Sequence, residues 1–343
     1  MIDTGSGAEA HRKPAAPSAS IPDLGPHRGA RSEWWYFTGR VVDCSDEEHF
    51  YVLAFFRSSL RIELSRFAHF LLHSRSGPGT ACERAASPFG PRTRIQPGTL
   101  DLDYNGWAAV VDGGRFAIRA QQGAYALDLV LTAGSPLLPG REGRIDLGTI
   151  RTQCRSLPRL ATEGTIRLGG RVSEVRGLSW FDHEWGALPL PHRWDWWGIN
   201  LDNGADLVIR HAHGRGVANL RHADGRMQTT TAIRATPVRH WRGASGALYP
   251  IEWALALPEL ETDLEIAAEW DGCETPFHVR YWEGPCRVKA WTSGALVHGR
   301  GYMELVGYDS RMLRFVTSRL WRLFGDLVFR ERSTDVGGTF PTE

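Results

Sequence analysis

Trp194-Asp195-Trp196-Trp197-Gly198-Ile199-Asn200-Leu201-Asp202-Asn203-Gly204-Ala205-Asp206-Leu207-Val208-Ile209-Arg210-His211-Ala212-His213 is the stretch that decides the fold. Two apolar runs flank Asn203-Gly204, a dipeptide that readily takes the positive φ angles of a tight hairpin. The reading is a hairpin joining residues 194–201 to 205–213. Asp112-Gly113-Gly114 joins 107–111 to 115–119 in the same way, and Asp224-Gly225 joins 217–221 to 227–233. From Ser32 to Tyr308, short runs of Val, Ile, Leu, Tyr and Trp alternate with Gly, Asp and Asn punctuation. That is the pattern of an all-β, antiparallel protein built from hairpins rather than β-α-β crossovers.

A chain of 343 residues is long for one core, so two domains are expected. Glu33-Trp34-Trp35 and Asp195-Trp196-Trp197 each put an acid before paired tryptophans at the start of a hairpin, 162 residues apart. Duplication of a barrel or sandwich, joined near residues 155–170, explains the echo; with only three residues involved, coincidence is the alternative. The expected division is a tail over 1–30, β domains over 31–165 and 166–308, and a final segment over 309–343. In that last segment Leu313, Val316, Leu320, Leu323 and Leu327 fall at helical spacing. Six arginines against Asp309, Asp326 and Glu331 make 309–332 an amphipathic helix, suited to covering the barrels or to peripheral contact with an anionic membrane. Residues 1–30 carry Pro14, Pro17, Pro22 and Pro26 without the apolar core of a signal peptide, and read as a disordered tail on a cytoplasmic protein. No uncharged apolar run approaches the ~20 residues of a membrane-spanning helix.

Lys and Arg total 40 against 39 Asp and Glu, so nothing points to nucleic acid or another polyanion as partner. Fourteen Trp imply thick aromatic cores or an aromatic-lined cavity for a hydrophobic small molecule. The cysteines, Cys44, Cys82, Cys154, Cys273 and Cys286, are odd in number and widely spaced, which fits reduced structural thiols. There is no Gly-x-Gly-x-x-Gly, Walker loop or Gly-x-Ser-x-Gly elbow, and no cofactor is expected. His211 and His213 share a strand face, but no third ligand stands at a telling spacing, so no metal is expected either.

The chemistry concentrates in Gly177-Leu178-Ser179-Trp180-Phe181-Asp182-His183-Glu184-Trp185-Gly186. If this is a strand, Trp180, Asp182 and Glu184 share one face and Ser179, Phe181, His183 and Trp185 the other. The two carboxylates then have Cα atoms roughly 7 Å apart, and each hinders ionisation of the other. A carboxyl among rings loses solvation and is held towards its neutral, proton-donating form. Two readings stay open: Asp182 and Glu184 are catalytic, or they pair with arginines such as Arg193 or Arg210 to brace a barrel mouth. Trp35, Trp180, Trp185, Trp194, Trp196, Trp197 and His211 are the residues expected to contact a substrate.

Glu33-Trp34-Trp35-Tyr36-Phe37-Thr38-Gly39, Phe55-Phe56-Arg57, Ala68-His69-Phe70 and Trp180-Phe181-Asp182-His183-Glu184-Trp185-Gly186 together resemble the carotenoid 1,2-hydratase family. That family takes in hydroxyneurosporene synthase and the AttH-like lipocalin-like proteins. Trp194-Asp195-Trp196, Tyr281-Trp282-Glu283-Gly284 and Gly301-Tyr302-Met303-Glu304-Leu305-Val306-Gly307-Tyr308 follow in the family's order, so the resemblance spans roughly 31–308. It implies two consecutive lipocalin-like (calycin) antiparallel β-barrels with an aromatic pocket at or between them. It also implies hydration of an alkene, or the guided cyclisation ascribed to fungal relatives. The family's aromatic-x-Asp proton donor falls on Asp182, with Trp180 where Tyr is usual and Glu184 where the hydratases tend to carry Asn. Both departures resemble the AttH-like branch.

Three functions follow as expectations. One is cofactor-free protonation of an alkene in a polyene, isoprenoid or polyketide-type substrate by Asp182, with hydration or cyclisation. A second is a pericyclase that acts by folding its substrate, and a third is a carrier of hydrophobic ligands.

Overall fold

The computed structural model describes residues 24–309 except 60–62, 76–78, 87–92, 133, 135, 138, 141 and 189–192. The described chain is strand almost throughout, its one helical element being a 3-10 turn at Pro258–Leu260. The first sheet opens with β1 (Ser32–Asp43), β2 (Glu48–Ser59), β3 (Glu63–Ser74) and β4 (Gly79–Ala86). Short strands follow: β5 (Thr93–Ile95), β6 (Asp101–Tyr104), β7 (Trp107–Asp112), β8 (Arg115–Gln122), β9 (Tyr125–Thr132) and β10 (Arg144–Asp146). It ends in the long pair β11 (Arg151–Leu168) and β12 (Arg171–Ala187). The second sheet begins with β13 (Trp194–Leu201), β14 (Asp206–Ala212), β15 (Arg215–Arg221), β16 (Met227–Thr230) and β17 (Arg234–Arg242). It continues with β18 (Leu248–Leu257), β19 (Thr262–Ala268), β20 (Tyr281–Thr292) and β21 (Ala295–Val306).

All three expected hairpins are present, as β7–β8, β13–β14 and β15–β16. Each sheet is an antiparallel meander whose last strand returns to the first: β12 pairs with β1, and β21 with β13. The order is β4-β3-β2-β1-β12-β11-β9-β8-β7-β6-β5 in one sheet, with β10 on β11, and β16-β15-β14-β13-β21-β20-β19-β18-β17 in the other. Glu33-Trp34-Trp35 and Asp195-Trp196-Trp197 thus occupy the same place in two like topologies. The edge strands β16 and β17 are joined by residues 231–233 alone, a link that spans at most about 14 Å, so the second sheet must curl until its edges meet. In the first sheet Arg84 of β4 donates to the Asn105 carbonyl beyond β6 at 2.6 Å, and Asn105 Nδ2 donates back to the Ala85 carbonyl at 3.2 Å. Two lipocalin-like barrels result.

The passage between barrels differs from the expected division at 165/166. Gly169 and Gly170, with φ of +57° and +94°, make a hairpin turn, not a linker, so β11 and β12 both belong to the first sheet. The chain crosses over between Ala187 and Trp194. Of the expected N-terminal tail, 1–23 lie outside the described residues, but Leu24 is buried and its carbonyl accepts the Trp35 indole N–H at 2.9 Å. The expected helix over 309–332 lies beyond the described residues except for Asp309. Among the described residues no helix is long and apolar enough to cross a membrane.

Period-two alternation sorts most buried side chains into a core inside each barrel and a cluster between them, and a smaller cluster forms around Ile145, Ile150, Cys154 and Val217. Odd-numbered residues of β1, such as Trp35 and Phe37, fill the first barrel with Phe181 of β12. Trp197, Ile199, Ile209, Trp282 and Met303 fill the second. Even-numbered Tyr36, Trp180, Trp196, Val208, Tyr302 and Val306 form a separate cluster where the barrels meet. Polar ties fix that junction. Arg159, at a bulge in β11 with φ of +56°, pairs with Asp206 at 2.6 Å and donates to the Ala205 carbonyl at 2.9 Å. Asn219 Oδ1 accepts the Gly140 N–H at 2.7 Å, and Arg300 reaches Glu48 at 3.2 Å.

Candidate active site

The face of β12 that carries Trp180, Asp182 and Glu184 looks onto the second barrel, as alternation dictates. All three residues are buried. Arg210 of β14 bridges the two acids: its Nη2 donates to Asp182 Oδ2 at 3.0 Å and to Glu184 Oε2. The remaining oxygens are also occupied, Asp182 Oδ1 by the Trp180 indole N–H at 2.7 Å and Glu184 Oε1 by the Thr152 hydroxyl at 2.6 Å. Two N–H donors on Asp182, one of them a guanidinium that stays charged, are what an ionised, acceptor-only carboxylate takes. Both Asp182 oxygens are therefore engaged, one by the indole and one by the guanidinium. Burial raises the Glu184 carboxyl above its ordinary range, and Arg210 offsets only part of that.

A second pair of acids lies along the same face and had no role in the sequence reading. Glu283 of β20 stands directly opposite Glu304 of β21, which in turn is opposite Trp196 of β13, itself opposite Arg210 of β14. One row across four strands therefore reads Glu283, Glu304, Trp196, Arg210. Facing it, the first barrel presents Asp182, Tyr36, Ala54 and His69 in register on β12, β1, β2 and β3. Tyr36 donates its hydroxyl to Glu283 Oε1 at 2.7 Å, Trp194 donates its indole N–H to Glu304 Oε1 at 2.8 Å, and the Tyr281 hydroxyl lies 2.6 Å from His69 Nδ1.

Like charges placed opposite each other on neighbouring strands repel, and Glu283 is buried while Glu304 is half-buried. Burial first, and Glu304 next, push the Glu283 carboxyl well up; burial raises Glu304 to about 7. The pair titrates as a unit and retains a proton at neutral pH. Trp196 links the two halves, with Tyr36 edge-on at 5.5 Å and Trp180 edge-on at 5.9 Å between ring centroids. Among the described residues its buried indole N–H has no acceptor.

The sign of the stability effect follows. A carboxyl whose folded pKa is raised binds its proton more tightly in the native state, so its contribution is present below the unfolded value near 4.5 and is lost as pH rises towards 7. Glu304→Gln should flatten that fall. The variant is expected to exceed the parent in stability above pH 7 by on the order of 1 kcal/mol, after allowance for screening at a part-exposed group, and to converge with it near pH 4.5. Urea melts across that range check it.

Gly198 explains why glycine ends the Trp-Asp-Trp-Trp-Gly run. A Cβ there would lie 2.5 Å from the Trp196 ring and 3.1 Å from the Trp180 ring. Gly198→Ala should cost about 1–3 kcal/mol and displace the Trp196 indole, a shift that its fluorescence would report.

Alternation also separates the sequence-predicted contacts. Trp180, Trp194 and Trp196 are brought to the junction with Asp182 and Glu184. Trp35, Trp185, Trp197 and His211 are not, because each is an odd neighbour of a junction residue and turns to the opposite face. Trp35 is fully buried in the first barrel, and Trp185 stacks on His27 at 3.7 Å. Trp197 packs edge-on against Trp253 at 5.2 Å inside the second barrel. His211 pairs with Asp195 at 3.1 Å on that interior side. Glu283 and Glu304 carried one signal in the sequence, as isolated acids inside apolar strand runs.

Among the described residues two groups have metal-ligand spacing, His27 with Glu33 and His183, and Asp43 with Glu47 and His49. A guanidinium already lies 3.1 Å from each central acid, Arg57 on Glu33 and Arg171 on Asp43, and repels a second cation there.

The model of a family described as AttH-like matches residues 12–308. A solved structure from Nitrosomonas europaea described as an AttH is 28% identical, with a TM-score of 0.76 over 86% of this chain and 98% of its own. Kievitone hydratase from Nectria haematococca is 16% identical, with a TM-score of 0.72 over 82% and 90% of the two chains. CghA, solved with Sch210972, is 14% identical, with a TM-score of 0.57 over 84% and 94%. These last two likenesses speak to fold. No curated protein matches the sequence.

Proposed function

This chain belongs to the AttH-like family, and from that premise we propose that it is an enzyme that protonates a carbon–carbon double bond of an apolar substrate at the barrel junction, with hydration or ring closure following. The observation that carries the reading is the Glu283–Glu304 pair, which keeps a proton at neutral pH beside the rings of Tyr36, Trp194 and Trp196. The hydratase named among the similar structures supports it.

In the proposed reaction the carboxyl O–H of Glu304 delivers its proton to one alkene carbon, and the alkene π electrons form the new C–H bond. The adjacent carbon becomes a cation. Indole faces of Trp180, Trp194 and Trp196 stabilise that charge, each good contact contributing about 1–2 kcal/mol in a dry setting. Asp182, fixed by Arg210 and Trp180, adds a preorganised negative charge. Water then bonds to the cation and returns a proton to the glutamate; where a second double bond attacks instead, the product is a ring and the last C–H proton returns to the same base. No atom beyond substrate and water is needed.

Incubation with prenylated phenols and acyclic polyenes in deuterated water tests the proposal by mass spectrometry. Carbon-bound deuterium in a hydrated or cyclised product is expected. A cyclised product without label would assign the chain to pericyclic chemistry, and recovery of unchanged ligand bound to the protein would make it a carrier.

A further inference from the structure

Glu33 and Asp195 hold equivalent places at the mouths of the two barrels, each before its tryptophan pair and each turned towards its own barrel's interior. The first mouth is plugged by the chain itself. Glu33 takes the backbone N–H of His27 at 3.0 Å, His27 Nδ1 at 2.8 Å, His183 Nε2 at 2.9 Å and Arg57 Nε at 3.1 Å, while the His27 ring covers Trp185. The second mouth is built differently. Asp195 accepts the Tyr308 hydroxyl on Oδ1 at 2.6 Å and pairs through Oδ2 with His211 Nδ1 at 3.1 Å. In front of it lies a cleft of about 280 Å³, whose walls include Arg193, His211, His213, Ala235, Pro237 and Trp253.

The lining has a definite chemical character. Asp195 is buried with both oxygens engaged. His211, held through Nδ1 by Asp195, lines the cleft. The Arg193 guanidinium sits over the Tyr308 ring at 3.8 Å from its centroid and donates to its hydroxyl at 2.7 Å, so the charge is held at the rim. The Arg193 guanidinium stands beside two imidazoles, the one carboxylate present is already engaged, and Trp253, Pro237 and Ala235 give an apolar wall.

We infer that the mouth of the second barrel is a separate binding site for a small organic anion, a carboxylate carried on a flat apolar body, gripped by Arg193 and His211. It lies on the opposite face of β13 and β14 from the junction acids and does not depend on the chemistry proposed there.

Benzoate, a carboxylate on a flat apolar ring, titrated calorimetrically into the full chain tests the inference. Saturable binding at one molecule per chain is expected, at least tenfold tighter than for neutral benzyl alcohol. Charge-assisted hydrogen bonds have the strength to produce such a ratio. Arg193→Gln, at an exposed position, should weaken benzoate at least tenfold with an unchanged circular dichroism spectrum, and His211→Gln should do the same. Glu304→Gln should leave the affinity unchanged. Failure of benzoate to saturate, equal binding of benzyl alcohol, or loss of binding in Glu304→Gln with none in Arg193→Gln would each overturn the site; the last would place the anion between the barrels.

Discussion

Glu304→Gln is expected to lower turnover by about 10²–10⁴-fold while the protein folds and still binds its apolar substrate, because the amide keeps the hydrogen bond from Trp194 but has no proton to give. The loss should fall on kcat, with KM little changed, since the proton matters in the transition state and not in ground-state binding. The pH profile adds a readout that a merely structural role would not move. Only the protonated pair is a donor, so the parent rate should fall as pH rises through about 7. Residual activity of the variant should lack that limb. Glu283→Gln removes the neighbour that shares the proton and should displace the limb rather than abolish the reaction. Parent-like kcat in Glu304→Gln would remove this acid from the mechanism.

Arg210→Met should destabilise the protein by about 3–5 kcal/mol, the largest stability effect expected of a single substitution at the junction. The guanidinium is buried and touches two carboxylates, and its removal strands both without a counter-charge. Burial alone would lower its proton affinity, yet Cys154, Glu184 and Asp182 around it drive the Arg210 pKa upward. The loss should be greatest at neutral pH and shrink as pH falls, because protonation of the stranded acids relieves it. Adding Asp182→Asn and Glu184→Gln to Arg210→Met should recover most of the stability without restoring activity. Urea denaturation at matched m-values measures both steps. A cost below about 1 kcal/mol for the single variant would show that the two acids are not held as described.

What could be read in the sequence was local. Asn203-Gly204, Asp112-Gly113-Gly114 and Asp224-Gly225 fix hairpins because positive φ is a property of the residues themselves. The shared face of Trp180, Asp182 and Glu184 needed nothing more than the two-residue period of a strand. Arg210 was legible as one of two candidate ion-pair partners, and the junction uses it.

Pairings between distant strands were not legible. Glu283 and Glu304 come opposite each other through the β20–β21 register, and Tyr36 reaches Glu283 across 247 residues of chain. Neither contact leaves a trace in local spacing. Parity also decides more than residue type: Trp196 lies at the junction while Trp197 fills a barrel, and Arg210 binds Asp182 while His211 faces the cleft. Glycine had two meanings that composition cannot separate, with Gly169-Gly170 turning a hairpin where a link between domains was expected.

The proposed acid requires that the Glu283–Glu304 pair hold a proton at neutral pH. Carbon-13 NMR of protein labelled at the glutamate side-chain carboxyl tests it directly and needs no substrate. A resonance that titrates near pH 7 and vanishes in Glu304→Gln is expected, well above the ~4.3 midpoint of an unperturbed glutamate. If every glutamate carboxyl in the folded protein has lost its proton by about pH 5.5, the pair holds no proton at neutral pH and is not the acid.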